Sequence, residues 1–447
     1  MKFNKIIQAV VIAFLVLQLY SCDKPGEVDA TFNQTPTERL NAKQKELNDV
    51  LEASDFGWKA VYYTDSTQFG GFTHLFKFKS GEVEMASDFD DDTTKHKSGY
   101  SIELGSTVSL VFTTKNKIHL LSDPLNAPSA LLKGQGYKGD FQFLYYGQEK
   151  DQLLFKTNKT LQEVRFIKAK EEDWSNLYKN RQMITNLKGE SRPLFRSLET
   201  NDGAKKSVFD FSFYKTTRFS ESNSVEAGSK SNYKMGIAFT PTGITIRPAI
   251  KVGNQKLSEF IYDDSTGNFN ASGTNGVSAS IKYSNTPPYL SDFYKTLLSG
   301  QPRSTFVVAN SNGLGQYPET DSPLFISELA KSNAKLESGV QVSVIALDFN
   351  FLGKLNYIFY VFTNNTALFH YVNVSENPIT KSLILTHQSW EGNATKKSKD
   401  AIMNIENYLL NKNGLYVIKE NYTIVGDKNA ITFTSASVPF RMTAWKL

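Results

Sequence analysis

The spacing of apolar residues changes along this chain, and the first regular spacing predicts a helix. Residues 35–38, Thr-Pro-Thr-Glu, supply an N-cap hydroxyl, a proline at the first helical position and a capping-box glutamate. An apolar stripe with helical spacing follows, formed by Leu40, Leu47, Val50 and Leu51. We therefore expect a helix to open the folded part of the protein.

From Trp58 to about Lys170 apolar residues recur at every second position, which is typical of half-buried strands. One strand face is predicted to carry Phe72, His74, Phe76 and Phe78. Turn residues such as Gly70-Gly71 and Ser80-Gly81 separate the short strands, and this arrangement predicts an antiparallel meander. A helix around residues 174–184 is expected to close this unit.

The period of two returns at residues 209–213, where phenylalanine alternates with aspartate and serine, and strands with inserted helices continue to residue 447. The predicted fold class is mainly β (α+β), with two helix-decorated antiparallel units that are β-meanders, sandwiches or barrel-like. Their predicted bounds are 35–187 and 207–447, and a linker containing glycine and proline is predicted at 188–206.

Residues 1–21 resemble a signal peptide. Lys2 and Lys5 precede the largely apolar segment 6–20, which is shorter than the roughly 20 residues that a transmembrane helix requires. Cys22, the only cysteine, follows Ser21 in a context that resembles the lipobox of bacterial lipoproteins. We expect cleavage before Cys22, lipidation of its thiol and a flexible polar tether over residues 22–34. An ordinary secretory signal or a poor anchor helix is the alternative.

The composition argues against nucleic-acid binding and against cysteine chemistry. The 50 basic and 45 acidic residues leave a formal charge of +5, which gives no electrostatic argument for nucleic-acid binding in a chain of 447 residues. Once Cys22 carries lipid, no thiol remains for a disulfide, for thiolate catalysis or for a cysteine-ligated metal. No second apolar run approaches the length of a membrane span, so we expect the lipid anchor to be the link to the membrane.

No sequence motif for catalysis or cofactor binding is present. The five histidines form no His-Glu-x-x-His motif, and Gly-x-Ser-x-Gly, Walker and dinucleotide-binding motifs are absent. Asp88, Asp90 and Asp92 are weak candidates for a calcium site, but Thr93 and Gly99 stand where an EF-hand needs glycine and glutamate. We expect no cofactor and no enzyme activity, although a carboxylate pair assembled by the fold would leave no spacing in the sequence.

Aromatic side chains are the remaining candidates for ligand binding. Tyr145 and Tyr146 are predicted at a hairpin end, and Trp390 lies beside Gly392 in a predicted loop. A ring with one free face can stack on a sugar or on a peptide side chain, so these three are the candidate binding residues. Trp58, in contrast, is expected to pack in the core.

A series of local patterns carries a resemblance to a known family. The patterns of the first unit include Thr35-Pro36-Thr37-Glu38-Arg39-Leu40, Gly57-Trp58-Lys59, Phe76-Lys77-Phe78, Leu120-Leu121-Ser122-Asp123-Pro124 and Gly139-Asp140-Phe141-Gln142-Phe143. The second unit adds Gly243-Ile244-Thr245-Ile246-Arg247-Pro248. In this order they resemble the bacterial cell-envelope lipoproteins of domain of unknown function 4302. The resemblance covers roughly residues 32–170 and 205–265, and it brings no catalytic residues with it.

The resemblance implies a cellular context. Members look like envelope lipoproteins encoded beside uptake systems, in which a TonB-dependent transporter works with surface capture proteins. The acidic residues after the cysteine, Asp23, Glu27 and Asp29, resemble an export signal for the outer face. We expect an outer-membrane, lipid-anchored protein that faces the cell exterior and captures a nutrient oligomer, glycan or peptide, without covalent chemistry. A cell-envelope hydrolase and a structural or adhesive lipoprotein are the alternatives.

Overall fold

A computed structural model of the chain describes residues 35–129, 132–189, 192–308, 320–425 and 428–447. The predicted signal peptide, the tether and Cys22 lie outside these residues. The described part contains three antiparallel sheets decorated by helices, which confirms the predicted mainly β fold class. Within these ranges we find no helix whose length and apolar character would let it cross a membrane.

The first sheet is a closed barrel of eight strands. Its strands are β1 (Trp58–Tyr63), β2 (Gly71–Lys79), β3 (Glu82–Ser87), β4 (His96–Leu104), β5 (Val108–Phe112), β6 (Gln142–Glu149), β7 (Gln152–Thr157) and β8 (Glu163–Lys168). Each strand pairs antiparallel with the next, and the pairing of β8 with β1 closes the barrel. The predicted face of Phe72, Phe76 and Phe78 lies in its core, as does the fully buried Trp58.

The second sheet has nine strands. They are β9 (Phe195–Asp202), β10 (Lys206–Asp210), β11 (Ser212–Tyr214), β12 (Phe219–Asn223), β13 (Asn232–Thr240), β14 (Gly243–Val252), β15 (Gln255–Asp263), β16 (Asn268–Ser272) and β17 (Val277–Ser284). Their spatial order is β10-β9-β17-β16-β15-β14-β13-β12-β11. Segment 188–206, predicted as a linker, contains β9, and β9 pairs along its length with β17. Residues 195–202 of the predicted linker are therefore part of a sheet, because the strands on both sides of β9 satisfy its backbone.

The third sheet is another closed barrel of eight strands. Its strands are β18 (Ser304–Val307), β19 (Val342–Phe351), β20 (Leu355–Phe362), β21 (Ala367–Asn377), β22 (Ser382–Gly392), β23 (Leu415–Val425), β24 (Lys428–Ser435) and β25 (Arg441–Lys446). The predicted C-terminal unit, 207–447, thus spans most of the second sheet and the whole of this C-terminal barrel.

Five α-helices accompany the sheets in the described ranges. They are α1 (Pro36–Glu52), α2 (Lys117–Ser122), α3 (Glu171–Lys188), α4 (Pro323–Lys335) and α5 (Lys396–Leu409). The predicted start of α1 is confirmed by a complete capping box. The Thr35 hydroxyl accepts the backbone N–H of Glu38 at 3.2 Å, and the Glu38 carboxylate accepts the Thr35 N–H at 2.8 Å. Leu47 and Leu51 then bury the apolar stripe against the first barrel.

A buried ion pair joins the first barrel to the second sheet. Arg218, between β11 and β12, is 1% exposed, and Asp88, which follows β3, is fully buried. The Arg218 guanidinium donates from Nη1 to Asp88 Oδ1 and to the Gly71 carbonyl, both at 2.8 Å. The Asp88 carboxylate also accepts the backbone N–H of Thr73 and the side-chain amide of Asn180 on α3, both at 2.9 Å. These bonds satisfy two charges that burial would otherwise make unfavourable.

The backbone at this junction leaves no room for a side chain on Gly70. Its N–H donates to the Thr217 carbonyl at 2.8 Å. A Cβ at Gly70 would lie 2.2 Å from the carbonyl oxygen of Ile237 and 2.4 Å from that of Arg218. Gly70 therefore permits close contact between two sheets, a role that its predicted place in a turn did not indicate.

We expect Arg218→Met to lower the free energy of unfolding by about 3–5 kcal/mol, because it leaves the buried Asp88 carboxylate without its cation. Arg165→Ala is the control, since Arg165 pairs with Glu149 and Glu163 at the surface and should change stability little. Urea unfolding followed by tryptophan fluorescence measures both. An Arg218→Met variant as stable as the control would contradict the assigned importance of this pair.

His74 gives the fold a predicted sensitivity to acid. Its side chain is fully buried, and both ring nitrogens lack a hydrogen-bond partner within the described residues. Burial, with a smaller contribution from Arg218, lowers the pKa of His74 to about 3. The unfolded chain binds this proton below about pH 6.5 and the folded chain does not. Stability should therefore fall as the pH drops from about 6.5 towards 3, by up to about 1.4 kcal/mol per pH unit.

His74→Phe should remove this part of the pH dependence, whereas the exposed His96→Gln should keep the slope of the parent protein. Urea unfolding at several pH values between 4.5 and 7.5 provides the comparison. Parallel pH profiles for parent and His74→Phe would show that His74 does not contribute.

Candidate functional site

Strands β20 and β21 carry aromatic rings on the outside of the C-terminal barrel. Buried and half-buried residues alternate along both strands, as the period of a strand requires. The buried set, which faces the barrel interior, is Ile358, Tyr360, Phe362, Leu368, His370 and Val372. The half-buried set between them includes four rings, and Phe351 at the end of β19 adds a fifth. We call the outward rings the aromatic face: Phe351, Tyr357, Phe359, Phe369 and Tyr371.

The rings of the aromatic face contact one another across the strands. The strand register places Tyr357 opposite Tyr371 and Phe359 opposite Phe369. The ring centroids of these pairs lie 5.7 Å and 4.5 Å apart, and Tyr357 also lies 5.4 Å from Phe369. Phe351 extends the series, with its centroid 5.9 Å from that of Tyr357. The result is a continuous, mutually supported aromatic surface on rigid strands.

Polar groups border one side of the aromatic face. Asp348 on β19 is almost fully buried and accepts hydrogen bonds from Arg303, from the Thr305 hydroxyl and from the Tyr357 hydroxyl, the last at 3.1 Å. Burial, and next the charge of Asp348, raise the pKa of Tyr357 to about 12. The Tyr357 hydroxyl therefore keeps its proton at physiological pH. The guanidinium carbon of Arg303 lies 4.6 Å from the centroid of the Phe351 ring.

A second polar border lies on β22. Glu391 is exposed and stands opposite Phe369 in the strand register. Burial, with Glu391 as the next cause, raises the pKa of Tyr371, so this hydroxyl also stays protonated. The aromatic face thus combines apolar ring surfaces with hydroxyl and carboxylate groups at its edges. This combination suits a ligand that has both apolar and hydroxyl or amide groups.

The inward side of the same strands holds a chain of hydrogen bonds. Glu406 on α5 is buried. Its carboxylate accepts a hydrogen bond from the Tyr360 hydroxyl at 2.6 Å and lies 2.7 Å from Nδ1 of His370. His370 Nε2 lies 2.8 Å from Nδ1 of His387, whose side chain is exposed. His370 is buried within β21. These hydrogen bonds link β20, β21 and β22 to α5 beneath the aromatic face.

Trp390, a predicted binding residue, lies on this inward side. The register sets Trp390 opposite His370, and their rings stack with centroids 3.9 Å apart and planes 10° apart. The Nζ atom of Lys399 on α5 is 5.0 Å from its ring. Trp390 is thus a half-buried strand residue that packs on the barrel core. It lies on β22, the strand next to β21, and does not belong to the aromatic face.

The two predicted tyrosines lie in the other barrel, on β6. Tyr145 is 1% exposed, and its hydroxyl donates to Glu46 at 2.8 Å. The expectation of a free ring at Tyr145 is therefore wrong, because adjacent strand residues point to opposite faces and Tyr145 takes the inward one. Tyr146 is 48% exposed, with Lys156 Nζ 4.6 Å from its ring. It has no exposed aromatic partner among the described ring contacts.

The three weak metal candidates do not converge. Asp88 belongs to the buried pair with Arg218, Asp90 pairs with Lys117 at 2.6 Å, and Asp92 lies 2.7 Å from Nε2 of His96. Over the ranges that the structure covers, no group of three or more metal-binding side chains is arranged around a common point. Asp88 is therefore engaged by Arg218, whereas Asp90 and Asp92 share Lys117, whose Nζ also lies 3.8 Å from Asp92.

The sequence contained a signal for the aromatic face, but an ambiguous one. Residues 355–362 read Leu-Asn-Tyr-Ile-Phe-Tyr-Val-Phe, so apolar or aromatic side chains occupy both faces of the strand. Such a run predicts a strand but does not say which face is outside.

Comparison with known proteins identifies the family to which the chain is similar. A family model described as "Domain of unknown function (DUF4302)" matches residues 28–264. No curated protein matches the chain. Among solved structures, DNA polymerase III subunit beta from Borrelia burgdorferi, in complex with a natural product, is 8% identical. The alignment covers 92% of this chain and 97% of that one, but its TM-score of 0.15 is too low to support an argument about fold or function.

Proposed function

The chain belongs to the DUF4302 family, because the family model matches more than half of the length of the chain. From this membership we propose that the protein is a surface lipoprotein that captures a ligand. In this proposal Cys22 carries the lipid that anchors the protein to the outer membrane, facing the cell exterior. The folded part binds a nutrient oligomer, glycan or peptide, without covalent chemistry. It delivers the ligand to a neighbouring TonB-dependent transporter.

The observation that supports capture is the aromatic face. Clusters of half-exposed aromatic rings on a soluble surface are typical of interaction sites, since each ring leaves apolar area in contact with water. A sugar ring or an apolar peptide side chain that stacks on Tyr357 or Phe369 would remove this area from water. The hydroxyls of Tyr357 and Tyr371, together with Glu391, would then offer hydrogen bonds at the edges of the bound group.

The rigidity of the face also supports a binding role. The rings lie on strands of a closed barrel, and the hydrogen bonds of Glu406, His370 and His387 link these strands to one another and to α5. A surface that is ordered before binding loses little conformational entropy when the ligand arrives. Capture of a flexible oligomer benefits from this property.

We expect Tyr357→Ala and Phe369→Ala each to weaken ligand binding by about 2- to 12-fold, which corresponds to about 0.5–1.5 kcal/mol for one ring contact. Arrays of oligosaccharides and of peptides identify the ligand class, and calorimetry with the best array ligand gives the affinities. Tyr178→Ala is the matched control, since Tyr178 is an exposed ring on α3 outside the aromatic face. If the three variants bound equally well, or if the array ligand were converted to product, the proposal would be wrong.

Cys22→Ser should move the protein from the membrane fraction to the soluble fraction and abolish labelling by an alkyne-tagged fatty acid. Ser21→Ala is the control, because it keeps a small residue before the cysteine and should leave lipidation intact. Ultracentrifugation and metabolic labelling measure the two effects. Proteinase K added to intact cells tests the orientation. Unchanged membrane partitioning of Cys22→Ser, or protection of the parent protein from protease, would contradict the anchored, outward-facing arrangement.

A further inference from the structure

A polar groove of about 360 Å³ lies between the first helix and the first barrel. One wall is a face of α1, and the other is formed by β4 and the turn between β2 and β3. The lining residues are Asn41, Gln44, Lys45, Asn48, Gly81, Tyr100, Ser101 and Ile102. Its volume lies within the range of about 300–1,000 Å³ that small-molecule sites have in proteins.

The helix wall is a stripe of side-chain amides. Asn41, Gln44 and Asn48 stand at positions i, i+3 and i+7 of α1, which places them on one side of the helix. Within the described residues, no hydrogen bond engages the amide groups of Asn41 or Asn48. Gln44 is only partly used, since its Nε2 donates to the Ile102 carbonyl at 2.6 Å. The stripe therefore presents free donors and free acceptors to the groove.

The barrel side of the groove is a part of β4 that pairs with a strand on one edge only. β3 pairs with β4 as far as Gly99, whereas β5 pairs with β4 from Tyr100 to Leu104. The second half of β4 consequently has no strand on its β3 side, and α1 lies there instead. The Gln44–Ile102 hydrogen bond crosses this gap and holds the helix at the strand edge. A peptide that added here as a further strand would have to break that bond.

The groove has little net charge of its own. Lys45 is its one charged lining residue, and this side chain pairs with Asp49 at 2.5 Å. Tyr100 adds no charge to the groove. Its side chain is 6% exposed, and its hydroxyl donates a hydrogen bond to Glu52 at 3.1 Å. The groove therefore offers a charged ligand little net counter-charge to offset the hydration that it would lose.

We propose that this groove binds a single neutral sugar unit. Each sugar hydroxyl can donate and accept a hydrogen bond, and side-chain amides offer both partners in the same way. The groove is open to solvent, which leaves space for a unit within a longer oligosaccharide. The site lies in the first barrel, away from the aromatic face, and the proposal does not rest on the function proposed above.

The test uses saturation-transfer NMR on the full-length protein in detergent micelles. The probes are the methyl glycosides of glucose, galactose, mannose and N-acetylglucosamine, with glucuronate as a charged comparison. At least one neutral glycoside should receive saturation from the parent protein, and glucuronate should not. Asn41→Leu and Asn48→Leu remove the amides at similar side-chain size and should each reduce this signal at least fivefold. Lys43→Ala, on the same helix but outside the groove, should leave the signal unchanged.

Two further variants separate this site from the aromatic face. A signal that persists in Tyr357→Ala and Phe369→Ala but falls in the two leucine variants supports the groove. A signal that falls only in the aromatic variants would overturn the proposal, as would no signal from any neutral glycoside or equal binding of glucuronate. Thermal unfolding of the leucine variants, whose substitutions lie on the helix surface, verifies that each remains folded.

Discussion

The arrangement of the first two sheets depends on the buried contact between Arg218 and Asp88. Two opposite charges lie out of water, and their desolvation is offset only if nearly every donor and acceptor finds a partner. Those partners come from three elements: the backbone of β2, the carboxylate after β3 and the Asn180 amide of α3. A shift of the second sheet against the barrel would break several of these bonds together. The contact therefore fixes one relative position rather than a range of positions.

The connection to the C-terminal barrel includes a polar contact and an aromatic contact. Arg441 on β25 donates to the carbonyl of Leu194, just before β9, at 3.5 Å. Nearby, the rings of Phe195 and Tyr416 meet edge to face at 5.6 Å. The three sheets are thus joined in series, with a buried ion pair at the first junction and polar and aromatic contacts among those at the second. The aromatic face lies on the last sheet of this series.

Two candidate binding surfaces use different physical chemistry. The aromatic face offers ring area that is stabilised by neighbouring rings, and polar groups stand only at its edges. The groove beside α1 offers free amides and a strand edge, with no exposed ring. A protein that holds a long, hydroxyl-rich oligomer can use both kinds of contact, since one stacks on the faces of its units and the other bonds to their hydroxyls.

The sequence by itself determined the local elements, because their signals are local. The capping box at Thr35 set the start of α1, and the period of two from Trp58 predicted the strands of the first barrel with Phe72, Phe76 and Phe78 inside. Only the tertiary structure decided which rings stay outside. Both alternating faces of residues 355–362 are apolar, so the contacts with α5 and the barrel interior selected Tyr360 for burial and left Tyr357 at the surface. The same holds for Tyr145 and Tyr146, and for Asp88, whose partner Arg218 is 130 residues away in the sequence. Such pairings depend on the closure of sheets, and no local spacing records them.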